Sequence, residues 1–182
     1  MSLSPEERAQ LVALAREAVE ARLTGRPLPR PPAADGVLAE QRGCFVTLTN
    51  GGRLRGCIGT FRPDASLAAT LPRIAAEAAG DSRFILDPVT AGELPQLTIE
   101  VSILSALAPM RGLHELRLGT HGIYVVRGNR AGCFLPEVAT EQGWNAEEFL
   151  DHCCAHKAGL PPGAWKQPPA TVFLFTSEKF DH

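Results

Sequence analysis

The sequence predicts an α+β protein whose antiparallel or mixed sheet is flanked by helices. Strand patterns come as hairpin pairs, one around Asn50-Gly51 and one around Gly128-Asn129. The clearest strand, Leu97–Leu104, alternates strictly: Leu97, Ile99, Val101 and Ile103 share one face, and Thr98, Glu100 and Ser102 the other. Three helical stretches and about six strands fail to alternate as βαβ units, which sets aside a doubly wound parallel sheet.

The elements follow in order. Ser4 caps a first helix, with Pro5 at its first position, Glu7 completing a capping box and Gly25 ending it. Leu11, Leu14, Ala15, Ala18, Val19 and Leu23 form its apolar stripe. Five prolines or glycines among residues 26–36 make an extended connector. Cys44 to Thr49 is a strand with Cys44, Val46 and Leu48 on one face, paired through the Asn50-Gly51 turn with Leu54 to Gly59. Asp64 or Ser66 caps the next helix, which carries Leu67, Leu71, Ile74, Ala75 and Ala78; Pro72 predicts a kink or a start near Leu71. Asp81-Ser82-Arg83-Phe84 is a polar turn. Gly122 to Arg127 and Ala131 to Leu135 form the second hairpin. Asn145 caps a last helix that Gly159 ends, and Thr171 to Phe175 is a final strand.

A length of 182 residues fits one domain, or two small lobes, with a smaller lobe expected within about residues 108–143. Hydrophobic content of 45% and charged content of 21% are globular values. No apolar run is long enough for a membrane helix and the acidic start lacks a signal-peptide pattern, so the expected compartment is the cytoplasm. A net charge of -2 argues against an electrostatic nucleic-acid binder; only an arginine-heavy set of cations favours one. The five cysteines, 44, 57, 133, 153 and 154, show no Cys-x-x-Cys spacing, which predicts reduced thiols and no zinc site. His152 and His156 share a helix face without a third ligand, so no metal is expected there. No nucleotide-binding or serine-hydrolase motif is present, and no cofactor is implied.

The chemistry concentrates on Arg53 to Phe61. By strand alternation Arg53, Arg55, Cys57 and Gly59 point one way, and Leu54, Gly56 and Ile58 the other. An arginine and a thiol thus share a face, with glycines leaving the backbone open to close approach. Cys57 has two readings, a small buried hydrophobe, which residue type alone favours, or a nucleophile with Arg55 as its thiolate partner. His121 is the candidate base by type. Glu100 is a solvated or arginine-paired carboxylate, or an acid/base. Asp81 is read as a turn former, with Arg83 as its ion-pair partner.

These residues carry a resemblance. Leu54-Arg55-Gly56-Cys57-Ile58-Gly59-Thr60 looks like the signature of the AMMECR domain family. Asp81-Ser82-Arg83-Phe84, Leu97 to Ser102, His121-Gly122, Phe134-Leu135-Pro136, Glu141 to Trp144 and Lys157 to Pro162 match in family order, so the resemblance spans about Leu11 to Phe180. Asn145 stands where the family often has Asp, and Cys153 precedes the usual Cys154.

The resemblance implies a single domain with a two-lobed fold and the signature hairpin near the inter-lobe cleft. It also implies association with Memo-like and radical SAM proteins, as component A of the AmmeMemoRadiSam system. The family has no settled biochemical activity. The expected site is a cleft for a small molecule or for cysteine chemistry. Its ligand-binding residues are Arg55, Gly56, Gly59, Thr60 and Arg83, and its catalytic residues Cys57, Arg55, Glu100 and His121. The alternative is a non-catalytic scaffold for those partner proteins.

Overall fold

A computed structural model describes residues 2–181. In chain order the elements are α1 (Pro5–Leu23), β1 (Cys44–Asn50), β2 (Arg53–Thr60), α2 (Leu67–Ala79), β3 (Leu97–Leu104), β4 (Ala108–Pro109), β5 (Gly122–Arg127), β6 (Arg130–Phe134), α3 (Glu137–Gln142), α4 (Ala146–Cys153), β7 (Thr171–Phe175) and β8 (Ser177–Asp181). The chain is α+β, with two four-stranded antiparallel sheets ordered β2-β1-β3-β8 and β4-β7-β5-β6. Two compact units result: the chain up to Leu104 with its return from Glu178, and Ser105–Ser177. Among the described residues no helix is long and apolar enough to cross a membrane.

In the first unit, α1 starts as its capping residues dictate. Glu7 N–H donates to Ser4 Oγ at 3.1 Å, and Ser4 N–H donates to Glu7 Oε2 at 2.8 Å. α1 packs on α2 and β3, and α2 on β1 and β2, so both helices lie on one face of the sheet. Cys44, Val46, Leu48, Ile99, Val101 and Ile103 point into that interface and are fully buried. α2 begins at Leu67 and includes Pro72, an earlier start than the proline suggested, with Ser66 at its cap position. Leu67, Leu71, Ile74, Ala75 and Ala78 are at most 2% exposed, and that burial outweighs the one helical donor Pro72 lacks.

The β1–β2 turn has Gly51 and Gly52 at its centre, with φ of +56° and +79°, and Asn50 paired with Arg53. Both central residues need the left-handed region, as a type I′ turn does. Beyond it the register slips by one: Thr49 pairs with Leu54, but Leu48 pairs with Gly56. Arg55 is the extra residue of a β-bulge.

In the second unit the β5–β6 hairpin is joined by β7 on the far side of β5. Ile123, Val125, Phe149, Leu150, Cys153 and Cys154 form its buried centre. A π-helical turn, Cys154–Ala158, extends α4 to Gly159, where the backbone becomes left-handed. The sequence pattern predicts none of β4, β8 and α3. The Ser-Glu-Lys-Phe-Asp stretch of β8 is polar and shows no apolar alternation, because it is an edge strand.

Candidate functional site

The bulge decides what stands beside Cys57. With unbroken pairing from Asn50–Arg53, Cys57 would fall opposite Val46, on the helix side. The extra residue shifts the phase, so Cys57 pairs with Thr47 on the face turned away from α1 and α2. Arg55 therefore does not share a face with Cys57, contrary to simple alternation.

Arg55 goes to the other side, is 3% exposed, and commits all five of its N–H donors. Nε and Nη2 donate to the two oxygens of Glu93, each at 2.9 Å. Nη1 donates to the backbone oxygen and carboxylate of Asp87, and Nη2 to the Pro88 carbonyl. Asn50 adds a bond to Glu93 Oε2 at 3.0 Å. Arg55 is thus a clamp on the 87–93 segment, with no donor left for a thiolate or a ligand anion. Its bonds hold the Glu93 carboxyl down at about 2 and raise the guanidinium.

Two expected ligand-contacting residues lie with it on the helix side. A Cβ on Gly56 would sit 2.1 Å from the Ala78 carbonyl oxygen, so this glycine admits the end of α2 rather than a ligand. Thr60 pairs with buried Cys44, on the face opposite Cys57. Gly59 is on the Cys57 face, but the Phe45 ring covers it: a Cβ there would come within 2.2 Å of that ring.

On the outward face, one row of residues crosses the sheet. Thr47 lies opposite Cys57 on one side and Glu100 on the other. Thr47 Oγ1 donates to Cys57 Sγ at 3.3 Å. Beyond Glu100, Lys179 of β8 approaches its Oε1 to 3.8 Å. The carboxylate's cation is therefore a lysine, where an arginine was one of the expected partners. Adjacent strands are about 4.8 Å apart, so Cys57 and Glu100 are about 10 Å apart with Thr47 between them. Cys57, Thr47 and Glu100 are all partly exposed. Thr47 and Lys179 carry no motif signal; only the bulged register reveals Thr47, and only the unexpected β8 reveals Lys179.

β2 is an edge strand, and the Asp81–Phe84 turn runs along its free edge. Cys57 N–H donates to Asp81 Oδ2 at 3.0 Å, and Arg83 Nη2 donates to Cys57 O at 3.0 Å. Arg83 also grips the Asp81 carboxylate, through Nη2 at 2.6 Å and through Nε. The expected Asp81–Arg83 ion pair is real, and it also caps the edge at Cys57. Arg83 above all holds the Asp81 carboxyl near 2, against a burial that would raise it. The Asp81 bond is likewise the main reason the Arg83 guanidinium is raised. The cation next to Cys57 is Arg83.

His121 belongs to the second unit, where its Nδ1 accepts the Arg117 N–H at 3.1 Å. Burial pushes the other thiols up: Cys44 to about 12, Cys133 to about 11, and Cys153 and Cys154 in the same direction. Among the described residues no cluster of three or more His, Cys, Asp or Glu can hold a metal ion. A cavity of about 470 Å³ is lined by Arg22, Leu23, Arg55, Asp81, Phe84 and Val89 among others, and Cys57 is not in its wall.

The family model for AMMECR1 matches residues 12–180. A protein of Methanothermobacter thermautotrophicus is 41% identical over 186 residues, covering 98% of this chain and 95% of that one. A protein of Methanopyrus kandleri is 39% identical, covering 98% and 90%. The crystal structure of an uncharacterized protein from Pyrococcus horikoshii superposes with a TM-score of 0.85 at 35% identity, covering 99% of this chain and 93% of that one.

Proposed function

The chain belongs to the AMMECR1 family, and from that premise we propose that it acts through a small-molecule site on the outward face of the first sheet, with Cys57 as the reacting thiol. The observation that carries this is the Cys57–Thr47–Glu100 row, in which a hydroxyl aims its proton at the sulfur and a carboxylate stands one strand further in. Sγ forms a bond to an electrophilic carbon of the bound molecule. The thiol proton passes through water to Glu100, and the displaced group leaves with the bonding pair.

Site-resolved labelling with iodoacetamide at pH 7 tests the reading. Cys57 is expected to react at least about tenfold faster than Cys44 or Cys133, because thiol reactivity follows exposure and thiolate fraction. Equal rates at the three positions would refute it.

A second reading has its own observation. Ile85 and Leu86 are 76% and 98% exposed on the turn that Asp81 and Arg55 anchor, two bare apolar side chains suited to a protein contact. In that reading the chain docks a Memo-like or radical SAM protein through this turn. Pulldown of such a partner that survives Cys57→Ser and fails with Ile85→Ser/Leu86→Ser supports it; the opposite pattern excludes it.

A further inference from the structure

Arg83 is hydrogen-bonded along one edge only, with its Cζ 5.8 Å from the centre of the Phe84 ring. Its Nε and Nη2 are bound to Asp81 and to the Cys57 carbonyl, while no bond among the described residues uses the two N–H of Nη1. The side chain is 59% exposed, yet its plane is set by the buried Asp81 carboxylate, which is 2% exposed. A fixed guanidinium with a spare edge is a ready-made donor for an anion. It stands at the outer edge of β2, while the negative charge of Glu100 lies two strands inward from Cys57. The thiol therefore sits between a cation at the sheet edge and a carboxylate towards the sheet centre. A bound molecule with an anionic end is oriented by Arg83, since Lys179 already offsets the Glu100 charge.

We propose that the molecule reacting at Cys57 is a small electrophile bearing an anionic oxygen group, and that Arg83 Nη1 holds that group. This rests on Cys57 being the reacting thiol, and it moves the anion-anchoring role from Arg55 to Arg83. Asp81 is a positioning residue: it touches no ligand and sets the plane of the guanidinium.

The test uses two reagents of nearly the same shape, anionic iodoacetate and neutral iodoacetamide. In both, the Cys57 Sγ–carbon bond forms as the carbon–iodine bond breaks; iodide leaves with the bonding pair and the thiol proton goes to solvent. The quantity read is the iodoacetate-to-iodoacetamide rate ratio at Cys57, by mass spectrometry of the intact, full-length protein. An exposed ion pair contributes up to about 1 kcal/mol, so the ratio is expected to be up to about fivefold higher in the wild type than in Arg83→Gln. Arg83→Lys, which keeps the charge without the fork, is expected to fall between them. In the wild type alone the ratio should drop as salt rises from about 0.05 to about 0.5 M, since screening acts on the charged reagent. A ratio unchanged by both Arg83→Gln and salt overturns the anion assignment while leaving the thiol reading intact. Failure of iodoacetamide to label Cys57 ahead of the buried cysteines overturns the thiol reading itself.

Discussion

The Asp81 carboxylate accepts the backbone N–H of Cys57 at 3.0 Å, tying the turn after α2 to the free edge of β2. One carboxylate thus serves a backbone donor and an arginine together, and its protonation would weaken both bonds.

This gives a pH dependence with a definite sign. Asp81 and Glu93 are each held at about 2 in the folded chain, below the ordinary carboxylate range of about 4. A depressed folded value means that the stabilisation is present above about pH 4 and is lost as the pH falls through about 2. Each group contributes on the order of 2 kcal/mol. Urea midpoints measured from pH 7 down to pH 2.5 should fall along this course. Asp81→Asn should lower the midpoint at pH 7 and flatten the acid slope; an unchanged slope would mean that Asp81 titrates normally.

Arg55→Lys tests the clamp. Lysine keeps the charge but cannot span both Glu93 oxygens, the Asp87 groups and the Pro88 carbonyl at once. Breaking a buried pair by removing one partner costs about 3–5 kcal/mol, and a lysine that recovers part of the pairing should lose about 2. Thermal and urea unfolding read the difference. A fully stable Arg55→Lys protein would show that the charge alone holds the segment.

Gly56→Ala and Gly59→Ala should separate cleanly. At Gly56 the new methyl meets a backbone carbonyl at 2.1 Å, so α2 must shift, and a loss of about 3 kcal/mol or more is expected. At Gly59 it meets the Phe45 ring, which can rotate at the cost of its edge-on contact with Phe61, so about 1 kcal/mol is expected. Denaturant titration of the two variants checks the order; Gly59→Ala as the more damaging change would contradict the packing described.

Much of the fold was legible in the chain. The capping box at Ser4 and Glu7, the alternation of Leu97–Leu104 and the turn at Gly128-Asn129 each depend on neighbours a few residues away, and each formed as read, while the first hairpin turned one residue later, at Gly51-Gly52. The site was legible in part. Asp81 and Arg83 pair because they stand only two positions apart, and Glu100 faces away from the core because β3 alternates without interruption. What failed was the step from Arg55 to Cys57. Alternation assumes one residue per position, and the bulge arises from a tertiary demand that no local pattern carries: Arg55 is drawn to Glu93 and Asp87, more than thirty positions ahead. Thr47 stayed hidden for the same reason, since its place beside Cys57 follows from the slipped register.

The single extra residue at Arg55 makes the arrangement depend on a count as much as on chemical identity. Removing one residue between Leu54 and Gly56 would let the hairpin pair in its regular frame, with its turn and most of its ladder kept. Cys57 would stay opposite Thr47 on the outward face, because the pairs on either side of the bulge, Thr49–Leu54 and Leu48–Gly56, simply become consecutive. The sulfur turns inward only if Arg55 is kept and the bulge is lost, since unbroken pairing from Asn50–Arg53 puts Cys57 opposite Val46. A relative could therefore lose the outward thiol with every residue of the row in place, through changes at Glu93 or Asp87 that no longer draw Arg55 out of the ladder.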